Sequence, residues 1–427
     1  MRSIVTQYLN KLSESDKICL MDQIDHARNL YNKAIYLSRQ YYFNEKGILR
    51  YERCYSIVKN LPEYKWLNSN VAQQVLKEAD GSFRAFANLL KQAKSGRFNY
   101  HSIILPGYLS PTQHIPLIAI QVRLTADNRF IVPLSRKYKS TLRPLTIAIP
   151  PILYGQKIKR AIISLNGRTQ TFKVAYEYEV DSSEWTLNQQ HVLAIDFGVN
   201  NMAACVTSHG KSFIIDGYRL KARNQWFNAE YLRLEVEAKK QRVKNDEGKF
   251  EPMQTPTPRM ASLLDKRDNQ IRDEFAKAAR YIIDYCINND IGRVIVGMPN
   301  AVELFGGSAF ALLGSNFRQV PFGMLRQSIE NLCERYNITC VSVDESYTST
   351  ASFFDGDEIP NYNDDNPTPH SFSGQHPMRG LYLTKDGKQL NADINAALNI
   401  LKKSDVIDIT PLLEKGFVDV PKKILLP

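Results

Sequence analysis

Residues 191–198, HVLAIDFG, decide how this chain is read. The run is apolar at nearly every position and closes on an acid, the pattern of a strand buried on both faces of a sheet. Toward the C-terminus, Ala203–Thr207 and Ser212–Ile215 are shorter apolar runs hinged at His209–Gly210, which predicts a hairpin. Two long helical patterns follow, about 220–245 and 259–288. In the second, Leu264, Ile271, Phe275, Ala278, Ala279 and Ile282 keep a helical period. FEPMQTPTP (250–258) reads as the loop between them. RVIVGM (293–298) predicts another buried strand, 321–336 a helix, and TCVSVDE (339–345) a further strand.

Toward the N-terminus the pattern changes twice. From 101 to 190, the segments HIPLIAIQVRL, RFIVPLSR, LTIAIPP, KIKRAIISLNG and TFKVAYEYEV predict five or more strands punctuated by Pro and Gly, expected to form a small antiparallel barrel. Before that, 3–12 reads as a short strand, and Ser13, Ser15 and Asp16 offer cap chemistry for a helix from about 16 to 43. Further helices are expected at 51–60 and 69–94. The order from residue 191 onward, three strands and then alternating helices and strands, is that of a ribonuclease H-like domain. The expected class is therefore multi-domain α+β.

At 427 residues the chain exceeds one compact core, given about 100–200 residues per domain. Its formal net charge of +11 is unevenly placed. Residues 1–190 hold 27 basic and 14 acidic side chains, a surplus of +13, whereas 191–427 hold 28 and 30, a balance of −2. A polyanion-binding front joined to a near-neutral part with another task is implied. A hydrophobic content of 43 % argues against a largely disordered chain. No signal peptide or apolar run of membrane-spanning length is found. Six scattered cysteines without a C-x-x-C pair read as reduced thiols of a cytoplasmic protein.

Three carboxylates stand where the predicted fold would converge them. Asp196 lies inside the first buried strand, where a charge must be paired or bind a metal. Asp344 and Glu345 end a later strand on opposite faces, so only one of them can join a common site. Asp393 lies in NADINAALNIL, with Ala396, Ala397 and Ile400 at helical spacing from it, a small-residue stripe that allows close approach to a sheet. Singly, each has an ordinary explanation: a D-x-G turn also opens sugar-kinase nucleotide sites, and an Asp near a helix start is usually a cap. Jointly they form a set able to hold two Mg²⁺ ions for in-line hydrolysis of a phosphodiester. The sugar-kinase reading would want Gly-rich phosphate loops in a duplicated domain, and none is found.

With these residues placed, the chain resembles TnpB proteins, the transposon-encoded RNA-guided nucleases related to type V CRISPR effectors. The matching segments are AIDFGVNNMAACV (194–206), KRDNQIRDEF (266–275), RVIVGMPN (293–300), NFRQVPFGML (316–325), VDESYTSTASFFDGD (343–357), RGLYLTKDG (379–387) and LNADINAALNILKK (390–403). The resemblance selects Glu345, not Asp344, as the site acid beside Asp196 and Asp393. It implies a helical recognition lobe (13–100) inserted in a wedge barrel (1–12 with 101–190). It further implies a RuvC-like nuclease (191–345 and 391–405), a target-loading insert (346–390) and a C-terminal tail (406–427). It also implies a guide RNA and double-stranded target DNA as partners, no membrane, and one Mg²⁺-dependent site. A cleavage-deficient guided repressor is the alternative. Oligomeric state is not legible.

One departure stands out. Many members carry a four-cysteine zinc ribbon between the Glu and the last Asp, but 346–392 contains no Cys. Zinc is not expected, and the segment needs another means of folding. Arg379, just after the acidic insert, is a candidate phosphate contact. Gln73 and Gln74 lie on a helix whose front would read base edges, with Lys77 and Arg84 on nearby turns for phosphates. Two basic clusters, Arg136, Lys137 and Lys139, and Lys157, Lys159 and Arg160, would suit RNA backbone.

Overall fold

The computed structural model describes residues 2–45, 47–95, 99–135, 144–180, 185–244, 250–252, 256–298, 320–361 and 370–427. The chain is mixed α+β and divides into two compact units, 1–181 and 182–427.

In the first unit, strand β1 (Arg2–Tyr8) leads into helices α1 (Glu14–Glu45), α2 (Tyr51–Val58), α3 (Pro62–Lys65) and α4 (Ser69–Lys94). Ser13 Oγ accepts the Asp16 N–H at 3.2 Å at the head of α1, and Asn68 caps α4 through the Asn70 N–H at 3.0 Å. Strands β2 (Leu117–Ala119), β3 (Arg129–Ile131), β4 (Thr146–Ala148), β5 (Ile158–Asn166) and β6 (Thr171–Glu179) follow. β6 buries alternate residues Phe172, Val174, Tyr176 and Tyr178, so one face joins the core. β1 pairs antiparallel with β6, and the sheet order is β1-β6-β5-β2. Helices and strands share one hydrophobic core, running from Leu20, Ile24 and Phe83 to Phe130 and Tyr176.

The expected closed barrel is not formed among the described residues. Among the named strands β3 and β4 pair with each other alone, in a separate two-stranded sheet, and β3 adds one isolated bridge, Phe130 with Leu124. Prolines account for the interruption. Pro116 precedes β2, Pro133 follows β3, and Pro144 and Pro150 flank β4. Each lacks the N–H that would continue a ladder, which limits these strands at the ends it flanks.

In the second unit, strands β7 (Asn188–Phe197), β8 (Asn201–Thr207) and β9 (Ser212–Asp216) form an antiparallel meander. Helix α5 (Tyr218–Lys240), the short pair β10 (Arg242–Lys244) and β11 (Phe250–Pro252), and helix α6 (Pro258–Asn288) follow. Part of the expected 250–258 loop is therefore strand. β12 (Ile291–Met298), helix α7 (Phe322–Arg335) and β13 (Thr339–Asp344) come next. β14 (Gln375–Met378), β15 (Leu381–Leu383) and β16 (Gln389–Asn391) form a small sheet ahead of helices α8 (Ala392–Ser404) and α9 (Thr410–Lys415) and strand β17 (Lys422–Ile424). The main sheet runs β13-β12-β7-β8-β9-β17, with β7, β12 and β13 mutually parallel. Leu193, Ile195, Val294 and Val296 pack on one face with α6 and α7, while Val192, Ala194 and Ile295 pack on the other with α8. All six cysteines are free thiols. Among the described residues no helix is long and apolar enough to cross a membrane.

Candidate active site

Asp196 is the penultimate residue of β7, opposite Ala204 of β8. Val192 and Ala194 face α8, and strand alternation puts Asp196 on that same side. Glu345 follows β13 directly, and its N–H donates to the Met298 carbonyl at 3.0 Å, which extends the parallel ladder by one step. Its carboxylate lies over Gly297 of β12. A Cβ on Gly297 would sit 2.9 Å from Glu345 Oε2 and 2.7 Å from Ile400 Cδ1 of α8. Asp393 is in the first turn of α8, where the Asn391 side chain caps the N–H groups of Asp393 and Ile394 at 3.0 and 3.2 Å. Asn201 Nδ2 donates to Asp393 Oδ2.

These placements bring the three acids into electrostatic contact. Burial, then the charge of Glu345, then that of Asp393 push the Asp196 carboxyl well above the ordinary carboxylate range. Asp196 keeps some exposed surface, but protein crowds its carboxyl closely enough for desolvation to dominate. As they stand, no three His, Cys, Asp or Glu among the described residues close tightly enough to cage a metal. The donor set is all carboxylate oxygen, which suits a hard cation such as Mg²⁺. Asp344 is engaged elsewhere. Its Oδ1 accepts Lys403 Nζ at 2.8 Å and the Ser346 N–H at 3.1 Å. Burial would raise its pKa, but these bonds outweigh it and hold the carboxyl below the usual range.

The cysteine-free segment after Glu345 folds around hydrogen bonds. Asp357 accepts the Ser352 N–H (2.8 Å), the Ser373 N–H (3.0 Å) and the Ser373 hydroxyl (2.6 Å). Asp355 accepts the Ser352 hydroxyl (2.6 Å) and the Lys385 N–H (2.9 Å). Tyr382 is fully buried, donates to the Thr350 carbonyl at 2.8 Å, and covers Gly374 so closely that a Cβ there would meet the ring at 2.4 Å. Arg379 is exposed at the turn between β14 and β15. The next residue, Gly380, accepts the Ala392 N–H at 3.1 Å, so this turn abuts the helix start that carries Asp393.

In the first unit, Gln73 lies beside the Tyr64 side chain, and Gln74 Nε2 is buried without a partner among the described residues. Lys77 Nζ lies 5.7 Å from the Tyr51 ring centroid, and Arg84 pairs with Asp80 at 2.7 Å. Lys157 and Lys159 pair with Glu179 at 3.4 and 2.6 Å, and Arg160 with Glu177 at 3.0 Å. Lys77 apart, these cations are matched by internal acids rather than gathered into a bare patch. Exposed pairs of this kind are weak and can be exchanged for phosphate. Arg136, Lys137 and Lys139 lie outside the described residues. A cleft of about 780 Å³ in this unit is lined by Lys59, Lys65, Trp66, Asn68 and Ser135, among others, and contains none of the three acids. Asn201, Gly297 and the buried Asn395 and Asn399 went unnoticed in the sequence. An Asn or Gly carries no chemical signature until its neighbours are known.

A family model described as a probable transposase matches residues 174–303, and one described as the Cas12f1-like TNB domain matches 322–400. The TnpB-like protein ORF457 of Acidianus two-tailed virus is 23 % identical over 411 residues, covering 89 % of this chain and 82 % of that one. The cryo-EM structure of a Cas12f1–sgRNA–target DNA complex is similar with a TM-score of 0.60 at 15 % identity, covering 91 % of this chain and 83 % of that one. The mini-RNA-guided endonuclease CRISPR-Cas_phi3 is similar with a TM-score of 0.51 at 10 % identity, covering 95 % and 92 %. At such identities the two structures speak to the fold.

Proposed function

We propose that this chain is a TnpB-type RNA-guided DNA endonuclease with one RuvC-type site, a reading supported by its similarity to a TnpB-like protein and to two family models. The observation that carries the reading is the convergence of Asp196, Glu345 and Asp393 on the α8 face of the sheet, where the charges of Glu345 and Asp393 add to burial in raising the pKa of Asp196. Like charges crowded without a counter-cation are costly, and a site that keeps them is adapted to receive one. The ribonuclease H-like order of strands and helices in the second unit supports the RuvC assignment. The helices inserted between β1 and the other strands of the first unit support the wedge and recognition-lobe assignment, in open rather than barrel form.

Asp196, Glu345 and Asp393 would hold Mg²⁺, with Asn201 fixing the orientation of the Asp393 carboxylate. Two bound ions would supply an activated water and charge to stabilise the leaving oxygen of a phosphodiester. Arg379, at the turn beside α8, would offer its guanidinium to the target phosphate. The first unit, with its +13 surplus continuing to residue 190, would grip guide RNA and the duplex flanking motif through salt-sensitive phosphate contacts. Sequence would be read mainly by pairing between guide and target strand.

The test is plasmid cleavage by the purified protein with its own guide RNA and Mg²⁺. The wild type should linearise a plasmid bearing target and flanking motif, and Asp196→Ala should bind that plasmid but not cut it. A wild type that binds its target yet cuts with no divalent metal would point instead to a guided repressor.

A further inference from the structure

We propose that Asn395 and Asn399 are positioning residues that set the separation of Glu345 and Asp393, an inference that rests on the nuclease reading above. Both amides are fully buried, one helical turn apart on α8. Asn395 Nδ2 donates to the Ala351 carbonyl at 2.7 Å, and its Oδ1 accepts the Phe353 N–H at 3.2 Å. Asn399 Nδ2 donates to the carbonyls of Thr348 (2.8 Å) and Ala351 (2.6 Å). Thr348 in turn donates to the Glu345 carbonyl, through its N–H at 3.1 Å and its hydroxyl at 2.7 Å. A short hydrogen-bonded path thus runs from Glu345 through Thr348 and Asn399 to the helix whose first turn bears Asp393.

Core filling alone does not explain these two amides. The neighbouring buried positions of α8 are Ile394, Leu398, Ile400 and Leu401, and an apolar side chain would bury with no polar penalty. Asn399 Oδ1 has no partner among the described residues, an arrangement that costs stability. The position therefore carries an amide for what its donor holds. Lys402 and Lys403 continue the same stripe, bonding the carbonyls of Asp357, Ser346 and Pro360. α8 also packs on the sheet, and Lys403 Nζ holds Asp344, the last residue of β13, at 2.8 Å; to these the two amides add directional bonds that make the spacing of Glu345 and Asp393 reproducible.

The experiment measures Mn²⁺ affinity by EPR, guide RNA affinity and thermal melting on the full-length protein bound to guide RNA. Asn399→Leu should weaken Mn²⁺ binding at least tenfold while guide affinity stays within twofold. Thr348→Val, nearly isosteric, removes the hydroxyl bond to the Glu345 carbonyl while keeping the backbone one, and should weaken Mn²⁺ binding about threefold with melting little changed. Leu398→Ala, which removes core volume but no hydrogen bond, should lower the melting temperature and leave Mn²⁺ affinity within twofold. The proposal is overturned if Asn399→Leu and Thr348→Val both keep wild-type Mn²⁺ affinity, or if Leu398→Ala loses as much as they do. A wild-type complex that binds guide but no Mn²⁺ would sink the metal reading itself, and this inference with it.

Discussion

Gly297→Ala should separate the integrity of the fold from the geometry of the site. The new methyl would lie 2.9 Å from Glu345 Oε2 and 2.7 Å from Ile400 Cδ1, where ordinary contacts begin near 3.4 Å. Both neighbours are ends of flexible side chains, so they yield by about 0.5–0.7 Å and the strand persists. Overpacking costs about 1–3 kcal/mol, offset by about 0.5–1 kcal/mol from replacing a strand glycine. The net change in stability is then roughly 0–2.5 kcal/mol. Activity responds differently, because a misplacement of about 1 Å in a catalytic group can cost about 10²-fold. Half that shift in the Glu345 carboxylate should cost at least about tenfold, or about 1.4 kcal/mol of barrier. The assay is single-turnover plasmid cleavage at saturating Mg²⁺, with guide and target affinities measured in parallel. A Gly297→Ala protein that cuts within twofold of wild type would show that Glu345 does not work where it is placed, and the assignment would fall.

Relief of crowding at Asp196 should be visible without any reaction. Asp196→Asn should raise the melting temperature of the second unit in EDTA by roughly 2–4 °C per kcal/mol gained, with a gain of about 0.5–2 kcal/mol; an unchanged or lower melting point would contradict the charge crowding. Asp357→Ala should loosen the segment after Glu345 by about 1.5–3 kcal/mol, the worth of one hydrogen bond to a charged group, read as faster amide exchange across 348–357. Although burial raises the Asp357 pKa, its serine and backbone hydrogen bonds outweigh this and lower it overall. The stability it lends is therefore present above the ordinary carboxylate range and lost as pH falls through the lowered folded value. Exchange across 348–357 that is flat over that acidic window would refute the role given to this carboxylate. Arg379→Ala should slow cleavage about 10²-fold with guide affinity unchanged, checked by the same single-turnover assay.

Legibility followed the range of the forces involved. α4 was readable to its ends because Asn68, a helical apolar stripe and Lys91 and Lys94 are all local signals. α3 was not, since four residues opened by a proline show no period. β7 and β12 announce themselves as apolar runs, and the acid inside β7 marks the candidate site. The barrel failed because closure depends on which distant strands pair, and strand-like segments do not reveal their partners. β17 was unreadable for the same reason: three residues joining β9 from 209 positions away carry almost no pattern. At the site the charged residues stood out singly. The neutral ones around them, Asn201, Gly297, Asn395 and Asn399, acquire meaning only from what lies within a few ångströms.

The pairing of β1 with β6 has a consequence for how the first unit is made. Val5 sits opposite Tyr176, so β1 is synthesised about 170 residues before its partner. At about 5–20 residues per second, that strand waits roughly ten to thirty seconds on the ribosome with its ladder groups unsatisfied. α1 and α4 can dock during this interval, but the sheet edge that receives β1 does not yet exist. Folding order is thus the reverse of synthesis order at this point. Pulse-labelled amide exchange on stalled nascent chains should find the α1 amides protected while those of β1 still exchange freely.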